Sequence, residues 1–171
     1  MVTRRLFLAS SLTACASPAL ACRRTTADIE GPFFRAGAPS EEALVAASTP
    51  GAIQLGGHVM DARCRPVVGA ILELWQADAA GSYDLDGFHF RTRLRTARDG
   101  SYSVTTLVPG RYLNGSQFRP AHIHAKIHTD TQELTTQLYF PGDPYNDVDP
   151  WFDRSRLVTM EGNAATFDFV V

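Results

Sequence analysis

From Ile53 to Val171 the chain alternates apolar and polar residues in short runs broken by turn residues. Ile53-Gln54-Leu55 passes through Gly56-Gly57 into His58-Val59-Met60, and Ala70-Ile71-Leu72-Glu73-Leu74-Trp75 is rich in strand-favouring residues. Residues 90–97 alternate with Arg91, Arg93 and Arg95 on one side, and Asp99-Gly100 marks a hairpin leading into 102–108. Further runs cover 121–129, 135–140, 156–160 and 165–171. Side-chain period two, frequent turns and little room for helices predict an all-β antiparallel sandwich of about seven to eight strands with long loops. Residues 22–52 have no sustained period and read as an N-terminal arm ahead of a sandwich domain over 53–171. Within that arm a short helix is expected over 40–47, with Ser40 as its cap and Glu42 in its first turn.

One run carries more than fold. In Arg119-Pro120-Ala121-His122-Ile123-His124-Ala125-Lys126-Ile127-His128, alternation puts Ile123, Ala125 and Ile127 on one face and His122, His124, Lys126 and His128 on the other. The apolar face is expected between the sheets. On the other, His122 and His124 have Cα atoms about 6.5–7 Å apart, close enough for two imidazoles to meet at one metal ion. A solvated polar strand face has the same pattern, and spacing by itself leaves both open. His128, farther along the row, diverges from any shared ion and reads as exposed; Trp75 reads as core.

Composition narrows the setting. The chain has 171 residues, 44% hydrophobic and 20% charged, with a formal charge of −2, which fits one globular domain without general attraction to nucleic acid or anionic membrane. No apolar run approaches the ~18–20 residues of a membrane span, and three cysteines are too few for a disulfide scaffold. Residues 1–21 read as an export signal: Arg4-Arg5, the apolar Leu6-Phe7-Leu8, then Ala19-Leu20-Ala21 at a cleavage site. The paired arginines resemble a twin-arginine signal, used by proteins that cross already folded, so an extracytoplasmic location is expected. Leu12-Thr13-Ala14-Cys15 also has lipobox character, and a lipid anchor on Cys15 or Cys22 stays open. In an oxidising space Cys22 and Cys64 could pair, or Cys64 could be a small loop residue.

The remaining motifs fall together. Glu30-Gly31-Pro32-Phe33-Phe34, the stretch from Trp75 to Tyr83, Val108-Pro109-Gly110-Arg111-Tyr112, Arg119-Pro120-Ala121-His122-Ile123-His124, Gln137-Leu138-Tyr139 and Phe140-Pro141-Gly142-Asp143-Pro144 succeed one another along the chain. Across residues 28–171 this resembles the intradiol ring-cleavage dioxygenases, the family of catechol 1,2-dioxygenase and the protocatechuate 3,4-dioxygenase beta chain. The resemblance implies a non-haem Fe(III) held by Tyr83, Tyr112, His122 and His124. It also implies a catechol-type substrate that, with both atoms of O2, is cleaved between its hydroxylated carbons to a muconate-type diacid. Tyr112 would leave the metal and take up a phenolic proton, Arg119 would stabilise the developing anionic ring carbon, and Gln137 would hydrogen-bond beside it.

The ligand set makes chemical sense. A phenol with a pKa near ~10 is a poor ligand for most divalent ions, whereas a strongly Lewis-acidic trivalent ion can displace its proton. Zinc more typically takes thiolate, imidazole or carboxylate, and copper's usual sets do not pair two phenolates. The chain departs from the family pattern in its short connection 113–118, which lacks the tryptophan beside the tyrosine in protocatechuate enzymes, and it has no helical dimerisation segment. The site would therefore be open, or closed by 84–90 and 143–152 or by a neighbour in a homo-oligomer. Two other readings remain: an extracytoplasmic β-sandwich binding module without catalysis, and a copper or zinc site using His122 and His124.

Overall fold

The computed structural model describes residues 21–171; residues 1–20 of the export segment, with Arg4, Arg5 and Cys15, lie outside the described residues. Eleven strands follow in order: β1 (Ala52–Met60), β2 (Ile71–Gln76), β3 (Arg91–Arg95), β4 (Ser101–Leu107), β5 (Leu113–Asn114), β6 (Gln117–Phe118), β7 (His122–His128), β8 (Glu133–Tyr139), β9 (Thr159–Glu161), β10 (Ala164–Thr166) and β11 (Phe169–Val170). One sheet has the order β11-β1-β10-β9, with β4 also on β1; the second has the order β3-β2-β7-β8; β5 and β6 form a small hairpin. Residues from the inner faces of both sheets, among them Leu55, Val59 and Val104 facing Leu72, Ile123, Ile127 and Leu138, make the core. Leu55, Leu72 and Leu138 are fully buried, each contributing about 1.5–3 kcal/mol. Among the described residues no helix is long and apolar enough to cross a membrane.

The all-β sandwich follows the alternation, with more and shorter strands than the runs suggest. Ladders are antiparallel except that β1 pairs in parallel with β10 and with β11. The run 165–171 divides there because the chain turns over β1, where Phe167 N–H donates to Gly56 O at 3.0 Å. Gly57 permits this approach: a Cβ at that position would lie 1.9 Å from Phe167 O. Residues 156–160 likewise open in a 3-10 turn, Arg154–Arg156, whose N-cap Asp153 accepts from Ser155 N–H.

The expected helix over 40–47 does not form. Ala43 instead bridges Thr105 in parallel; Leu44 N–H donates to Thr105 O and Thr105 N–H to Glu42 O, both at 2.8 Å. The outer edge of β4 otherwise has unpaired backbone groups, and pairing with it while Leu44 packs on the core outweighs a short isolated helix. The arm continues across the outer face of the second sheet. Asp28 N–H donates to Thr135 O at 2.8 Å, Thr136 Oγ1 to Thr26 O at 2.8 Å, and Lys126 pairs with Glu30. Its start is fixed by a disulfide between Cys22 and Cys64, so of the two readings of Cys64 the pairing is the one found. A Cys22 sulfur in that bond is not available for a lipid thioether.

Candidate metal centre

The central strand of the second sheet is buried on both faces: β7 is covered inside by the sandwich core and outside by the arm. The histidine face is therefore not a solvated one, and His122 and His124 are 2% and 1% exposed. In the ladder His122 lies opposite Tyr139, while His124 lies between Gln137 of β8 and Trp75 of β2. Trp75 is buried as expected, but on this outer face, its ring stacked on His124 at 4.8 Å and 8° and edge-on to Phe34. His128 departs from the row and, contrary to expectation, is only half-exposed, held between Glu73 (2.8 Å) and Glu133 (3.1 Å).

Two loops deliver the phenols. After β2, Asp78 Oδ1 accepts from Ala80 and Ser82 N–H, and Asp78 O accepts from Gly81 and Gly110 N–H, which folds the Tyr83 loop against the Pro109-Gly110 turn. The backbones touch. A Cβ on Gly81 would lie 2.2 Å from Arg111 O, and one on Gly110 2.3 Å from Gly81 N, so glycine at both is what this approach requires. The two tyrosine rings consequently meet at 5.6 Å and 82°.

Tyr83, Tyr112, His122 and His124 form a closed circuit of ring contacts. Tyr112 lies 5.7 Å from His122, His122 4.9 Å from His124, and His124 6.4 Å from Tyr83. All four side chains singled out in the sequence are thus brought together. Three of their polar atoms lack partners: Tyr83 OH, His122 Nε2 and His124 Nδ1 are buried without a hydrogen bond among the described residues. His122 Nδ1 donates to Pro120 O at 2.7 Å, a tautomer that turns the Nε2 lone pair toward the cluster. Burial, then the nearby Arg119, depresses the His122 pKa to about 3, and burial drives His124 well below its ordinary value, so both imidazoles are neutral donors at pH 7. Burial, then the neighbouring Tyr112, raises the Tyr83 phenol above its usual range; only a strong positive charge would take its proton. Orphaned lone pairs and a reluctant phenol fit a highly charged cation. Among the described residues no three His, Cys, Asp or Glu side chains gather as a metal set, and the donors beyond the two imidazoles in this cluster are phenols.

Arg119 and Gln137 adjoin the cluster. Arg119 N–H donates to Tyr112 O at 2.9 Å. Its Nη2 donates to Gln137 Oε1 (2.8 Å), Tyr139 OH (3.1 Å) and Asp149 Oδ2 (2.7 Å), while the guanidinium lies 4.6 Å from the Trp151 ring. Gln137 Nε2 donates in turn to Ile29 O of the arm. Segment 143–152 thus walls this side through Asp149 and Trp151, with a cleft of about 100 Å³ between them and the β5–β6 hairpin. A larger cleft of about 390 Å³, lined by Val108, Arg111, Phe118 and Tyr145, lies beside the cluster rather than on it.

Sequence reasoning missed three residues. Phe33 stacks on Tyr83 at 4.2 Å and stands edge-on to Tyr112. Gly31, with φ +72°, passes so close to His124 that a Cβ would sit 3.2 Å from its Cε1. Both lie in the quoted Glu30-Gly31-Pro32-Phe33-Phe34 motif, which is the signal that could have found them. Arg91 is buried and clamps the walls, donating from Nη1 to Phe33 O (2.6 Å) and from Nη2 to Asp84 O (2.8 Å). Its place in an alternating arginine row gave no sign of this role.

A family model described as Dioxygenase matches residues 29–170. The chain is 34% identical to chlorocatechol 1,2-dioxygenase of Rhodococcus opacus, over 73% of this chain and 60% of that protein. It is 36% identical to the protocatechuate 3,4-dioxygenase beta chain of Burkholderia cepacia, over 68% of this chain and 62% of that one. It therefore spans about 60% of the length of these relatives. Among solved structures, the dioxygenase domain of a dioxygenase carbohydrate-binding protein fusion from Streptomyces sp. SirexAA-E superposes with a TM-score of 0.80 at 42% identity, covering 87% of this chain and 98% of that one. The 3-chlorocatechol 1,2-dioxygenase of Rhodococcus opacus 1CP gives 0.77 at 27% identity, covering 85% and 71%. Sequence motifs, sandwich and relatives agree, and the chain belongs to the intradiol ring-cleavage dioxygenase family.

Proposed function

We propose that this protein is a ferric dioxygenase that cleaves a catechol-type ring between its two hydroxylated carbons, incorporating both atoms of O2 and yielding a muconate-type diacid. The observation that carries this reading is the closed circuit of two phenol and two imidazole rings around buried, unpartnered donor atoms. Tyr83, Tyr112, His122 and His124 would hold the ion. Its Lewis acidity would draw electron density out of a catechol bound through both oxygens and open the ring to dioxygen.

The chain's own residues supply the rest. Tyr112 is half-buried, more accessible than the two histidines, and is the phenol suited to swing away and accept a proton from an incoming catechol at its OH. Tyr83 stays fixed under Phe33. Arg119, permanently charged and anchored through Nη2, keeps its buried Nε without a partner among the described residues; that N–H can donate to negative charge developing on the substrate. Phe33, Phe34 and Trp75 exclude water from the face opposite. The Cys22–Cys64 bond supports residence in an oxidising, extracytoplasmic compartment.

Oxygen uptake by iron-loaded protein, measured with catechol, protocatechuate, hydroxyquinol and larger plant-derived catechols, tests the reading. One O2 consumed per ring and a diacid product are expected with at least one of them. Ring opening adjacent to, rather than between, the hydroxylated carbons would refute it.

A further inference from the structure

We propose that Asp149 is a positioning residue for the reaction: by holding Nη2 it sets the rotation of the Arg119 guanidinium and keeps the unpartnered Nε available as a donor. This rests on the functional reading above and adds to it a residue that the family motifs do not contain. Both partners are almost wholly enclosed, with side chains 4% and 1% exposed at 2.7 Å. A charge pair so far from water is poor at stabilising a fold compared with well-packed apolar residues, so its geometry merits an explanation beyond stability.

Three elements fix the guanidinium independently. The backbone N–H of Arg119 is bound to Tyr112 O, which ties the start of the side chain to a candidate ligand. Trp151, 4.6 Å from the guanidinium carbon, restrains its plane. Stacking leaves rotation within that plane free, and Asp149 supplies what stacking cannot. Its carboxylate shares Nη2 with Gln137 and Tyr139. Asp149 is itself held rigidly, since its N–H donates to Tyr145 O and Asn146 O at the end of the 3-10 turn Asn146–Val148. Nε, buried, has no partner among the described residues, and the guanidinium carbon is 6.0 Å from the Tyr112 ring. Gln137 and Tyr139 are neutral; Asp149 alone of the three can pull one nitrogen decisively by charge.

The test compares iron-loaded, full-length Asp149→Asn, Arg119→Lys and the double variant with wild type on the best catechol. Asp149→Asn is expected to keep wild-type iron content and visible absorption and a KM within about twofold, while kcat falls about 10–100-fold, as a misplaced catalytic group would cause. Added to Arg119→Lys, which lacks the fork, it should lower kcat no further. Unchanged kcat in Asp149→Asn, a parallel loss of iron and colour, or a full additional loss in the double variant would each overturn the proposal. Should Asp149→Asn fail to fold, Asp149→Glu decides: it keeps the charge but displaces the carboxylate that holds Nη2, so kcat should fall severalfold at unchanged iron content, and an unchanged kcat would overturn the proposal. Iron-loaded wild type that consumes no O2 with any catechol would instead overturn the functional reading, and this proposal with it.

Discussion

Replacing Arg91 by methionine tests whether the walls of the ring cluster are held by one buried cation. Methionine roughly keeps the stem and its packing but removes two charge-assisted hydrogen bonds, to Phe33 O at 2.6 Å and to Asp84 O at 2.8 Å. Each such bond contributes about 1.5–3 kcal/mol. Burial disfavours the charge and lowers the Arg91 pKa, which offsets part of that sum, and two part-buried carbonyls would be left without their donor. A net loss of about 2–4 kcal/mol follows, and at about 2–4 °C per kcal/mol for a chain of this size the melting midpoint should fall by about 5–15 °C. The site should feel it more sharply. Phe33 lies on Tyr83, and Asp84 follows Tyr83 directly, so both restraints on that phenol loosen together. Thermal unfolding of wild type, Arg91→Met and Arg91→Lys, with the rate of iron loss to a chelator, measures both effects; the lysine variant should be intermediate. An Arg91→Met protein melting within 2 °C of wild type and releasing iron at the wild-type rate would refute the clamp.

Other outcomes follow from the same contacts. Gly31→Ala forces a side chain into left-handed backbone at φ +72° and against His124, so it should cost about 1–2 kcal/mol of stability from the backbone alone and weaken iron retention, as read by metal analysis. His122, with a pKa near 3 when folded and 6.5 when free, binds its proton only in the unfolded chain between those values. Stability of the metal-free protein should therefore fall as pH drops from about 6.5 toward 3, by about 1.4 kcal/mol per unit from this residue, and urea midpoints at pH 7, 6 and 5 should show a shallower slope in His122→Gln. Joint replacement of Cys22 and Cys64 by serine opens a crosslink across 42 residues and should lower stability by about 2–4 kcal/mol in denaturant titrations.

Much of this architecture is visible in residue patterns because strand alternation is local. The β7 sequence puts Ile123, Ala125 and Ile127 into the core and His122 and His124 on the opposite face with no information from elsewhere in the chain. What is not local was hidden. Whether that histidine face meets solvent or a cover depends on the arm, which reaches β7 and β8 from about a hundred residues away. The same cover makes Arg91, one of an alternating row of arginines, a buried clamp, and it encloses Trp75 on the outer face, stacked on His124. The 40–47 segment has a helix cap and an acidic first turn, yet the open edge of β4 outcompetes them. Asp149 sits in a polar loop whose sequence gives no hint that its carboxylate reaches Arg119. The motifs identified the ligand candidates; only the assembled chain shows what orients them.

Metal analysis and visible absorption of protein reconstituted with ferric iron, wild type beside Tyr83→Phe/His124→Ala, bear most directly on the claim that two phenols and two imidazoles hold one trivalent ion. One iron per wild-type chain, a reddish-brown colour from phenolate-to-iron charge transfer, and loss of both in the double variant are the predicted results. Colourless wild type without bound iron, or a double variant that keeps iron, colour and turnover, would contradict the account.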